Sequence, residues 1–185
     1  MNLRGDGFIN KSLLKKIIRL RFSLTPSKRA VALARSEMET TLAVIEDVGV
    51  EAASKCCLVP PMLGVDDDMR EWSLLQILEH NTIVHRQMRK VIEALAKGRE
   101  FRSTFNAKTD TIPSSNPGPE EIDAFRISVD EFLGSALSIA NLRGTAKIAH
   151  PVMGPLSAHG WLCMFGLHLS LHRKQAEKVG LLLVK

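Results

Sequence analysis

The chain of 185 residues contains no tyrosine, and aromatic residues make up only 5% of it. A core must therefore be built mostly from Leu, Ile, Val, Ala and Met, a palette that suits helices better than sheets. Cysteine is nearly as scarce, with Cys56, Cys57 and Cys163 and no Cys-x-x-Cys. Adjacent cysteines have poor geometry for bridging each other, so no disulfide framework is expected and a reducing cytoplasm is the simplest setting. No run of about 18 apolar residues occurs, which argues against a transmembrane helix. The stretch LLKKIIRLRF interrupts its apolar residues with charge, so no signal-peptide h-region is expected.

Acidic residues are almost missing from the first 35 positions, which hold nine Lys/Arg against one Asp, a balance of +8. The remaining positions hold sixteen Lys/Arg against nineteen Asp/Glu, or −3. The formal charge of +5 is therefore a local N-terminal property and the body is mildly acidic. A nucleic-acid-binding domain would spread its basic residues over a folded face, and no recognition-helix motif is present, so nucleic acid is not the expected partner. At 45% apolar and 24% charged the chain otherwise has the composition of a globular domain with room for a full core.

Four long helices are expected. A flexible MNLRGDG leads into a short basic amphipathic helix, KSLLKKIIRLRFSL, read as a packed extension over residues 1–26 with a membrane surface or acidic partner as the other reading. The main domain, 27–185, opens with a helix from Ser27, taken as its N-cap, to Val48, with Val31, Ala34, Met38, Leu42 and Ile45 on one stripe and Gly49 as its stop. Residues 50–71 read as an irregular loop with room for one short helix. Asp66, Asp67 and Asp68 lack the alternation of a calcium loop and read as a solvated turn. Ser73-Leu-Leu-Gln76 is a capping box, with Trp72 as its staple, and opens a helix to about Lys97 before Gly98. Residues 99–118 are a polar connection. Pro119 with Glu120 and Glu121 begins a helix over about 119–141. A loop around HPVMGP leads to a last helix capped near Ser157. No strand is expected, and the whole reads as an all-α four-helix bundle with unusually long connections.

The chemistry lies in the histidines. At about 100° per residue, His168 and His172 stack on one face of the last helix, and Trp161, Met164, Phe165, Leu171 and Gln175 share it, so both imidazoles point inward. His80 shares an apolar face with Ile77, Val84 and Val91 on the capped helix and is the candidate third ligand. His85, about 140° away, should face solvent or a helix flank, and His159 lies opposite His168. His150 stands in a loop within reach of a site mouth. Three neutral imidazoles leave positions open on a divalent metal, which suits activation of water or of a thiol. Without a Glu after its first His, His-x-x-x-His is not the zincin motif.

WSLLQILEHN (72–81) and HPVMGPLSAHGWLCMFGLHLSLHRKQ (150–175) resemble the DinB/YfiT-like superfamily of metal-dependent helical enzymes, over about 72–98 and 150–178. The resemblance implies an up-up-down-down bundle in which His80, His168 and His172 hold nickel or zinc. It further implies a small-molecule substrate, a hydrolase or an enzyme transferring a low-molecular-weight thiol, and in many relatives a homodimer. Catalytic residues beyond the three ligands are not implied. An anionic thiol would need cations at the mouth, for which Arg143, Lys147 and Arg173 are the candidates. The other reading is a non-catalytic helical stress-response or partner-binding module with structural histidines, acting through its basic N-terminal helix.

Overall fold

The computed structural model describes residues 11–101 and 104–184. The flexible lead expected at MNLRGDG lies outside the described residues. Among them the chain is mostly helical, with six helices and one two-stranded sheet: α1 (Lys11–Leu24), α2 (Ser27–Val48), the single turn α3 (Val50–Ala53), α4 (Leu74–Ala96), α5 (Glu120–Leu137), β1 (Ile148–His150), β2 (Gly154–Leu156) and α6 (Ala158–Leu183).

Local chemistry sets most of these boundaries. At the start of α4 the Gln76 amide donates to Ser73 Oγ at 3.1 Å and the Ser73 amide donates to Gln76 Oε1 at 2.9 Å, a complete capping box. Gly98, with φ +61°, takes the chain out of that helix. Ser157 caps α6 by accepting from the Gly160 amide. Ser27, by contrast, is not the cap of α2. Pro26 holds that position in extended geometry and makes no side-chain cap bond, while the Ser27 hydroxyl pairs instead with His159 Nδ1 at 3.1 Å. α5 stops at Leu137, short of the expected 141.

Beyond α5, the segment read as a loop forms an antiparallel hairpin, with Ile148 opposite Leu156 and His150 opposite Gly154. Strands three residues long, one containing a proline, carry no alternation that a sequence pattern could register. The exposed aspartates at 66–68 form the solvated turn expected, with Asp67 paired to Arg70.

α2 packs along α6, and α4 packs against both α5 and α6. Their apolar faces feed one continuous core, among them Ile45, Ile77, Ile92 and Phe132 with Phe165. Phe132 and Phe165 stack almost parallel, 3.8 Å between ring centroids. Burying each such side chain contributes about 1.5–3 kcal/mol. Gly64 has φ +80°, and a Cβ there would come within 2.6 Å of Leu171 Cδ1, so the loop before α4 lies directly on α6. α1 turns Phe22 and Ile18 toward the core and leaves Leu13, Ile17 and Leu20 exposed. Its Arg19 donates to the carbonyls of Met153 and Pro155 on the hairpin at 3.0 and 3.2 Å. Among the described residues no helix is long and apolar enough to cross a membrane.

Candidate metal centre

α4 and α6 bring His80, His168 and His172 together, so that one ring nitrogen from each lies within 4.8 Å of the other two. Ring centroids are 4.6 Å apart for His80–His172 and His168–His172, and 5.5 Å for His80–His168. The pair on α6 meets because residues four apart stack on a helix face, and His80 meets it because α4 turns the same stripe toward α6. Trp72 closes the far side, its ring 5.0 Å from that of His80.

Two of the three rings are held from behind. His80 Nδ1 donates to the Thr111 carbonyl at 2.8 Å. His172 Nδ1 donates to Gln175 Oε1 at 2.9 Å, and Gln175 Nε2 donates to the Met69 carbonyl at 2.7 Å, which fixes the orientation of the amide. Because these oxygens only accept, each ring carries its proton on Nδ1 and presents the lone pair of Nε2. His168 is half-buried, and its Nδ1 is sealed in the interior with no hydrogen-bond partner.

Burial also keeps the cluster uncharged. It lowers the pKa of His172 to about 3, with His80 nearby adding to the shift and the Gln175 hydrogen bond opposing it. His168 is pushed well below the ordinary imidazole range by burial and by its histidine neighbours. His80 is lowered by burial against the Thr111 hydrogen bond. Three neutral nitrogen donors, two with outer hydrogen bonds of the kind that orient metal ligands and one with an unsatisfied buried nitrogen, fit a divalent ion of borderline softness.

The other histidines divide. His85 does not face solvent: it is fully buried, its Nδ1 sits 2.8 Å from Ser128 Oγ, and its Nε2 has no partner. Of the two expected settings, solvent and a helix flank, solvent fails because α5 covers the flank of α4 that a single apolar stripe leaves open. His159 stays out of the cluster, as expected, and bonds to Ser27 and to the Phe22 carbonyl. His150, on β1, lines the cavity beside the cluster, where burial lowers its pKa to about 4. Cys163 is buried, and burial pushes its thiol up to about 11, which makes it a poor nucleophile.

That cavity measures about 180 Å³, and His168 forms part of its wall with Val84, Met88, Phe101, Trp161 and Met164. No charged side chain is among the described residues that line it. The cations proposed for its mouth are elsewhere: Arg173 pairs with Glu37 and Glu177, Arg143 donates to the Thr25 carbonyl, and Lys147 is not on the wall. Thr111 escaped sequence reasoning because its contribution to His80 is a backbone carbonyl, which no side-chain pattern signals. No protein-family model matches the chain, and no curated protein or solved structure matches it.

Proposed function

We propose that the protein is a metal-dependent hydrolase of the DinB/YfiT-like superfamily, working in the cytoplasm on a small molecule. In this reading α2, α4, α5 and α6 form the up-up-down-down bundle, and His80, His168 and His172 hold one nickel or zinc ion. The observation that carries it is the convergence of three neutral imidazoles beside an apolar cavity. A divalent ion in such a ligand set lowers the pKa of a water or thiol brought to it. The chain's own contribution is positional. Thr111 and Gln175 fix the tautomers and planes of His80 and His172, Trp72 limits rotation of His80, and the cavity beside the cluster has a mainly apolar wall.

Hydrolysis is favoured over transfer of an anionic low-molecular-weight thiol because the described cavity wall offers no cation to receive one. The test is metal content by mass spectrometry on untagged protein beside His80→Ala and His168→Ala. About one nickel or zinc per chain is expected, lost in both variants while far-UV circular dichroism stays unchanged. Protein that is metal-free and also refuses added zinc and nickel would overturn the reading, and the histidines would then be structural elements of a helical binding module.

A further inference from the structure

The cavity wall restricts what it can hold in three ways. Its volume of about 180 Å³ is only a little above the roughly 150 Å³ of an engineered apolar cavity that takes up benzene. It has room for one ring with a small substituent. Among the described residues its lining carries no charge, so a carboxylate or ammonium entering it would lose its water with no counter-ion in return.

The third restriction is the supply of hydrogen bonds. The amides of Val152 and Met153 both donate to His150 Nδ1, at 3.1 and 3.2 Å. A ring nitrogen that accepts N–H groups carries no proton, so the proton of the neutral ring is on Nε2. Among the described residues no acceptor takes that proton. The other polar groups of the wall are largely engaged: Trp161 Nε1 donates to the Ile148 carbonyl at 3.3 Å, and the Thr111 hydroxyl donates to the Ala107 carbonyl at 2.8 Å. His150 Nε2–H, the Gln87 carboxamide and the single N–H of the neutral His168 ring are the donors left over on an otherwise apolar surface, and of these the His168 ring belongs to the metal cluster.

We propose that this cavity is a substrate pocket for a compact, uncharged, mainly apolar carbonyl compound, one ring or a short branched chain in size, whose oxygen is received by His150 Nε2–H. The proposal rests on the metal-enzyme reading for what becomes of the ligand, and on the cavity alone for its binding. Small neutral esters and amides are the substrate class that satisfies both.

The probe is para-fluoroacetophenone, a neutral ring with one carbonyl, followed by fluorine NMR on the full chain in metal-loaded and chelator-treated form. Its anionic analogue para-fluorobenzoate is the comparison. Saturable ketone binding is expected in both forms, with the benzoate at least about tenfold weaker in the chelator-treated form, where no metal ion can receive its carboxylate. His150→Phe keeps a ring beside Trp161 and weakens the ketone about fivefold by removing the donor. Ala149→Phe, at an exposed position of β1 on the cavity wall, blocks the pocket and abolishes binding even if the first variant does not fold. Benzoate binding to the chelator-treated protein as tightly as the ketone, ketone binding that survives Ala149→Phe, or no saturable ketone binding in either form would each overturn the proposal. Ketone binding to protein that takes up no metal upholds the pocket and defeats the metal reading. Metal uptake without ketone binding does the reverse.

Discussion

Acid should destabilise the metal-free protein well before its carboxylates begin to titrate. Folding holds His172 neutral with a pKa of about 3, chiefly through burial, whereas the unfolded chain binds that proton near 6.5. The native state therefore has its full stability above pH 6.5 and loses it as pH falls from there toward 3. At pH 5 the loss from His172 alone is about 2 kcal/mol. Burial lowers His85 and His168 in the same direction, so they add to the loss.

The assay is urea unfolding of chelator-treated protein, followed by far-UV circular dichroism at steps from pH 7.5 to 5.0. With a denaturant slope of roughly 2 kcal/mol per molar, the His172 share alone moves the midpoint down by about 1 M. His172→Gln, which cannot titrate, should show a shallower dependence by up to about 1.4 kcal/mol per pH unit. A midpoint that barely moves across this window, or a slope that His172→Gln leaves unchanged, would refute the assignment of these histidines as neutral through burial.

Two further outcomes follow from the hydrogen bonds around the site and the helix that carries it. Gln175→Leu frees His172 from its outer partner and should weaken zinc or nickel binding by about 10–100-fold in a chelator competition titration while leaving one site per chain; affinity within twofold of the parent would remove Gln175 from that role. Ser73→Ala opens the capping box and should cost about 1 kcal/mol in urea unfolding without changing metal stoichiometry, whereas loss of metal in that variant would mean that the start of α4 sets the position of His80.

Much of this architecture was legible because it is written in short-range chemistry. The Ser73–Gln76 box, Gly98, Ser157 and the four-residue spacing of His168 and His172 all act within one or two helical turns, and the helices and the inward pair stand where those signals put them. His80 was legible because its apolar neighbours share its stripe. The failures are tertiary. His85 is buried by a second helix packing on a flank that amphipathicity treats as open, and Ser27 is drawn from a capping role by His159, which is distant in sequence. The β1–β2 hairpin is too short for a period, and the Thr111 carbonyl belongs to the backbone, whose placement depends on the whole connection between α4 and α5.

The bonds made by α1 change what the N-terminal helix means for anyone handling the protein. Arg19 holds the end of the turn that follows His150 and the β2 strand beyond it, the Phe22 carbonyl receives His159, and Arg143 reaches back to the Thr25 carbonyl. The basic segment is thus a clasp across the hairpin that forms one wall of the cavity, rather than a detachable arm. Trimming residues 1–24, or anchoring a fusion partner at that end, would alter the cavity and the helix together, so a loss of ligand binding in such a protein would not identify the N-terminal helix as a docking element. Point substitution at Arg19 isolates the clasp from the rest of the segment.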